Sequence, residues 1–134
     1  MSGWKAGDKL SPLSLDLTLR RAVQAVAGTR DYYPVHHDAE AARASGADAI
    51  FFNTMFLQAF VGRALCHWFG NDAFPRSLTV RMGRPNYVGR TLTAEGNVIE
   101  VRPASGRSLV DAEITLSTED GLTTGIQATV ELTS

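Results

Sequence analysis

The sequence predicts an α+β fold in which a curved antiparallel sheet wraps around one long apolar helix. Three observations lead there. Residues 54–69 are apolar on nearly every helical face, broken only by Gln58, Arg63 and His67. The half of the chain that follows reads almost entirely as strand, and one strand with short helices comes before both. A helix with no polar face must be surrounded, and a meander of about four strands arriving after it is the natural cover.

Taken in order, residues 13–19 place Leu13, Leu15, Leu17 and Leu19 on one face of a first strand. Thr18 is a candidate cap for a short helix reaching Ala27, with Gly28 ending it. A loop is expected over residues 29–37. Asp38 then reads as the N-cap of a small helix over residues 39–45, closed by Gly46. Next comes the apolar helix, stopped by Gly70, Asn71 and Asp72, with Cys66 expected as a small core filler within it. Residues 77–84 and 91–101 read as strands, Gly96 being a candidate bulge in the second. Residues 108–117 put Val110, Ala112, Ile114 and Leu116 on one face. Residues 122–132 repeat that pattern with Leu122, Thr124, Ile126, Ala128, Val130 and Leu132, and glycine-containing turns at Gly106 and Gly121 separate the strands.

No repeat or linker divides the chain, so one domain over residues 1–134 is expected; this length suits a domain of about 100 to 150 residues. With 44% apolar and 20% charged residues and a net charge of -1, the composition is that of a soluble globular protein. It carries no basic footprint for nucleic acid or an anionic membrane. Cys66 is the only cysteine, which rules out an intramolecular disulfide. No stretch has the length and apolarity of a signal peptide or of a bilayer span, so a cytoplasmic protein is expected. The half-covered helix and the open sheet edges call for another copy or a partner.

Chemistry concentrates in residues 28–38, where Asp31, Tyr32, Tyr33, Pro34, His36, His37 and Asp38 lie between two short helices. Adding water to a double bond needs a base to activate the water and an acid to protonate the carbon that becomes enolate-like; Asp31 and His36 are the candidates. The same residues also read blandly, Asp31 as a turn cap and His36 as a satisfied loop histidine. Asp38 reads as a helix cap and His37 as a surface residue or a support for His36. A metal site at His36, His37 and Asp38 is the sharper rival, but adjacent histidines converge poorly on one tetrahedral ion, so none is expected.

The run Asp31-Tyr32-Tyr33-Pro34-Val35-His36-His37-Asp38 resembles the hydratase motif of MaoC-like, R-specific enoyl-CoA hydratases, Asp-x-Asn-Pro-aliphatic-His. Residues 47–69 look like that family's central hot-dog helix, and Arg84-Pro85-Asn86-Tyr87-Val88-Gly89 like its Arg-Pro-x-Tyr-x-Gly connection. Thr29-Arg30-Asp31, Val35-His36-His37-Asp38, Ile50-Phe51, Asn53 and Trp68 are more similar still to the small subunits of two-component steroid side-chain enoyl-CoA hydratases of actinobacteria. The resemblance implies a single hot-dog domain with Asp31 and His36 as the catalytic pair. It implies an acyl-CoA substrate and no cofactor, coenzyme A being part of the substrate. The partner it implies is an identical chain or a second MaoC-like chain. Tyr33 stands where the motif has Asn, and Asn53-Thr54 where many relatives have His-Gly; the Thr54 N–H, at a helix N-terminus, can still receive the thioester oxygen. Tyr33, Asn53, Thr54 and Arg84 are the expected substrate-binding residues, and Arg81, Arg102 and Arg107 further candidates for the coenzyme A phosphates. Two other readings remain open: a thioesterase, against which stands the lack of Asp or Glu in residues 54–69, and a non-catalytic subunit that only shapes a partner's pocket.

Overall fold

The computed structural model describes residues 3–133. Strand β1 (Lys9–Asp16) leads into helix α1 (Leu19–Thr29), a single 3₁₀ turn (Pro34–His36), the short helix α2 (Ala39–Ala44) and helix α3 (Thr54–Phe69). Strands β2 (Phe74–Met82), β3 (Thr91–Ala104), β4 (Arg107–Thr118) and β5 (Gly121–Thr133) follow. All strand pairings are antiparallel, in the spatial order β1-β3-β4-β5-β2. The sheet turns one face onto α3, which is the hot-dog arrangement expected from the sequence. Leu92, Ala94, Val98, Val110, Ile114, Leu116, Ile126 and Val130 meet Leu57, Val61, Ala64 and Leu65 in one buried cluster. Among the described residues no helix is long and apolar enough to cross a membrane.

The first strand ends sooner than its alternation suggests. Thr18 is the physical reason: its hydroxyl accepts the Arg21 N–H at 3.2 Å, so the chain turns into α1 there. Leu19 is therefore the first helical residue and 51% exposed rather than an inward strand residue. That helix passes through Gly28 and stops at Arg30, which takes the left-handed conformation (φ 54°) usually left to glycine. The residue that ends α1 is thus Arg30, one before Asp31.

Helix α3 spans the expected residues, with Asn53 as its N-cap accepting the Phe56 N–H at 3.0 Å. Only part of its circumference is covered. Leu57, Phe60, Val61, Ala64, Leu65 and Trp68 are buried, while Met55, Ala59 and Cys66 are exposed on the other side. Cys66 is therefore not a core filler. It lies nine positions after Leu57, two and a half turns at about 3.6 residues per turn, and so faces directly away from the sheet.

Two strand details also depart from expectation. Gly96 is no bulge; it pairs in register with Leu10 and Ile114, and the irregularity in β3 lies between Val98 and Glu100. Glycine is needed at 96 for another reason: a Cβ there would collide with the Glu113 carbonyl oxygen of β4. In β5 the register slips opposite Leu116 and Ser117. Thr123 and Thr124 are consequently both buried, and Leu122, expected to face inward, is 61% exposed.

Candidate active site

The end of α1 and the start of α3 meet in space, and Asp31 sits where they meet. The left-handed turn at Arg30 redirects the chain, and the N–H of Arg30 and of Asp31 both return to the Val26 carbonyl, so Asp31 is tied to α1 through its own backbone. Its side chain is then held from two directions. Oδ1 accepts the Tyr33 N–H at 3.3 Å, and Oδ2 accepts from the Asn53 amide at 3.1 Å. The position of the imidazole follows from Pro34, which opens the 3₁₀ turn and brings His36 round to the same side. His36 Nε2 stands 3.5 Å from Asp31 Oδ2.

His36 is buried at 7% exposure, and its Nδ1 lies 2.7 Å from the Phe51 carbonyl oxygen. A carbonyl only accepts, so the Nδ1 end carries the proton and Nε2, toward Asp31, is the nitrogen with a free lone pair in neutral imidazole. Edge-on contacts with Phe51 (5.0 Å between ring centroids) and Tyr33 (5.9 Å) fix the ring plane. The Phe51 carbonyl is placed in turn by the connection ahead of β3. Phe51 bridges to Tyr87, Phe52 N–H donates to the Asn86 carbonyl, and Val88 N–H donates to that of Ile50. The Asn53 amide bond holds Asp31 below the usual carboxylate range. Partial burial opposes this, and the Tyr33 N–H and neighbouring His36 add to it. At neutral pH the group is therefore an ionised acceptor facing an imidazole nitrogen.

Of the residues nominated by the sequence, Asp31, His36, Tyr33 and Asn53 are joined by direct contacts. Asn53 is only 3% exposed, and its polar atoms are taken up by Asp31, Thr29 and the α3 cap. Thr54 follows it at the first turn of α3, where backbone N–H groups are not used within the helix. Its hydroxyl donates to the Met82 sulfur at 3.1 Å. Arg84 shares no hydrogen bond with this group; its guanidinium donates to the Asp120 carbonyl at 2.7 Å and staples the turn between β4 and β5. Arg102 and Arg107 are likewise engaged, with Asp111 and Glu131 respectively. Asp38 caps α2 through the Glu40 and Ala41 N–H groups, and His37 is exposed. Among the described residues no group of three His, Cys, Asp or Glu side chains is placed to hold a metal ion. Sequence reasoning did not find Phe51 and Thr29 as supports of the pair. Phe51 acts through a carbonyl, which no residue type signals, and Thr29 becomes visible only once Asn53 is known to turn back onto α1.

Comparison with known proteins bears on the family and the fold. The model of the MaoC-like domain family matches residues 10–120. The chain is 35% identical over 112 residues to the 3-oxo-4,17-pregnadiene-20-carboxyl-CoA hydratase beta subunit of Mycobacterium tuberculosis, covering 82% of this chain and 81% of that one. A chain of the ChsH1-ChsH2 complex from the same organism superposes with a TM-score of 0.86 at 27% identity, over 95% of this chain and 97% of that one. The (R)-hydratase of A. caviae involved in PHA biosynthesis, at 21% identity, has the same fold, with a TM-score of 0.88 over 98% of this chain and 99% of that one. The motif, the fold and these matches together make the chain a member of the MaoC-like domain family.

Proposed function

We propose that this chain is the catalytic subunit of an enoyl-CoA hydratase, which adds water to a trans-2-enoyl-CoA to give a 3-hydroxyacyl-CoA. The observation that carries this reading is the Asp31–His36 pair, an ionised carboxylate 3.5 Å from an imidazole nitrogen whose other nitrogen is anchored. A water molecule between them has an acceptor on each side. One group removes a proton from it while C3 takes the hydroxyl, and that proton, passed across the 3.5 Å between the two groups, is delivered to C2 by the other. Atoms balance, because one hydrogen of the water stays in the new hydroxyl and the other is replaced at C2 through the pair. Negative charge developing on the thioester oxygen would meet the Thr54 N–H, where the α3 dipole favours it. Tyr33 and Asn53 flank the same place, Tyr33 with its ring 58% exposed beside His36. The chemistry calls on no metal or redox cofactor, and coenzyme A enters as part of the substrate.

For the acyl group we infer a bulky, ring-bearing chain of the steroid side-chain type. The Mycobacterium relative is named for hydration of a pregnadiene-carboxyl-CoA, and this chain is 35% identical to it over 82% of its own length and 81% of the relative's. A drug-sized ligand wants roughly 300 to 1,000 Å³ of enclosed space. Tyr33 beside His36, and Met55 and Met82 at the Thr54 end of α3, are exposed on this chain and would wall such a pocket. A second MaoC-like chain, or a second copy, would complete that wall. The test is hydration of crotonyl-CoA against a steroid side-chain enoyl-CoA, by this chain alone and with the product of a neighbouring MaoC-like reading frame. The larger substrate is expected to be hydrated faster, by the assembled pair. Faster turnover of crotonyl-CoA by the chain alone would remove the steroid reading and keep the hydratase one.

A further inference from the structure

The Asn53 amide is clamped by two acceptors that stand two residues apart in the chain. One of its hydrogens points to Asp31 Oδ2 and the other to Thr29 Oγ1, each at 3.1 Å. The left-handed conformation of Arg30, between them, is what turns both side chains toward one nitrogen. The Thr29 hydroxyl hydrogen is already committed, donated to the Ala25 carbonyl at 2.8 Å. Toward Asn53 the Thr29 oxygen can therefore only accept, which makes it complementary to the NH₂ end of the amide and hostile to the carbonyl end. The opposite end is held by the Phe56 N–H. An unbroken chain of hydrogen bonds thus links the Asp31 carboxylate through the Asn53 amide and the Thr29 hydroxyl to the last turn of α1.

We propose that Thr29 is a positioning residue for Asp31, its hydroxyl holding the Asn53 amide in the place and orientation that hold the carboxylate against His36. This rests on the hydratase reading for its kinetic consequence, but its structural content does not. His36 is the titratable group facing Asp31 across the pair, and the Asn53 bond is the largest influence keeping Asp31 ionised. Loosening that bond lets Asp31 move and lets its pKa rise toward the ordinary value. Thr29 is exposed at the end of α1, so replacing its hydroxyl disturbs little packing.

The experiment compares Thr29→Val, which keeps shape and branching, with Thr29→Ser, which keeps the hydroxyl, and uses Thr29→Ala should the valine perturb the helix end. In the protein assembled with its partner, Thr29→Val is expected to lower kcat about tenfold through misplacement of the pair, with KM nearly unchanged. Thr29→Ser should restore it. Independently of turnover, the Asp31 carboxyl is titrated by carbon NMR in aspartate-labelled protein, and its midpoint should move upward in Thr29→Val and return in Thr29→Ser. An unshifted midpoint in both hydroxyl-free variants, or a serine variant no better than valine, overturns the proposal. Absence of hydration by the wild-type assembly on every enoyl-CoA would instead sink the hydratase reading, and the titration would still decide the role of Thr29.

Discussion

Asp31 owes its position to backbone and its charge state to a neighbour's amide. The backbone bonds do not involve the carboxylate, and Asn53 keeps its bonds with Thr29 and the Phe56 N–H, so truncating the carboxylate leaves both supports standing. Asp31→Ala and His36→Ala are each expected to lower turnover by about 10² to 10⁴-fold, the usual worth of a lost acid or base, with the circular-dichroism spectrum unchanged. A near-wild-type rate for either variant would remove it from the pair. His37→Ala should be much milder. Its side chain is exposed, and the turn around it is held by its own N–H and that of Asp38 returning to the Pro34 carbonyl.

At the level of elements, β3 passes β4 at Gly96 with no room for a Cβ. There the neighbour is backbone, the Glu113 carbonyl, which cannot swing aside as a flexible side chain can. Gly96→Ala should destabilise the protein by about 1 to 3 kcal/mol, in the range of other overpacked sites, read as a lowered midpoint in urea. Gly125→Ala, whose Cβ would meet nothing within 4 Å, is the control and should cost far less. Helix α3 is built on the same logic of neighbours. Its sheet-facing stripe is shut into the core, whereas Met55, Ala59 and Cys66 form a second apolar stripe with nothing of this chain over them.

Across the whole molecule, the uncovered stripe of α3 and the two sheet edges point to assembly. Strand β1 is interrupted at Ser11 and Pro12, where its register breaks. Strand β2 keeps an uninterrupted ladder from Ser77 to Met82 on its β5 side, leaving its other side open. At least a dimer is expected, and sedimentation as a stable species near 14.5 kDa at micromolar concentration would contradict it. The outer face of the sheet also has an acid-sensitive feature. Glu131 is held below the usual carboxylate range, chiefly by its hydrogen bond from Arg76 and further by Arg107, against the cost of partial burial. Asp111 is depressed likewise, first by the Thr129 hydroxyl and then by Arg102. A carboxylate with a depressed folded pKa contributes stability that is complete above its unfolded value of about 4 and is lost as pH falls through the folded one. Stability should therefore decline below about pH 4, and Glu131→Gln should flatten that decline in denaturation midpoints measured across the range. An equally steep decline in Glu131→Gln would show that the ion pairs on this face do not set it.

Periodicity was enough to place what depends on neighbours along the chain. The apolar run of α3, the four strands of the second half, and the Thr18 and Asp38 caps of α1 and α2 are all local matters of propensity, alternation and capping. The motif around Asp31 and His36 was legible for the same reason, since Pro34 and the two helix ends fix that loop within a few residues. Tertiary contact decided the rest. Leu122 matches a strand alternation in sequence, yet a register slip at Thr123 turns it outward. Cys66 belongs to an apolar run, but which side of a helix is covered depends on where the sheet lies. Gly96 and Asn53 make the point most plainly. The space that forbids a Cβ at Gly96 is filled by a strand seventeen residues on. The amide that grips Asp31 arrives from twenty-two residues away, and no local pattern encodes a contact that exists only once two helix ends have met.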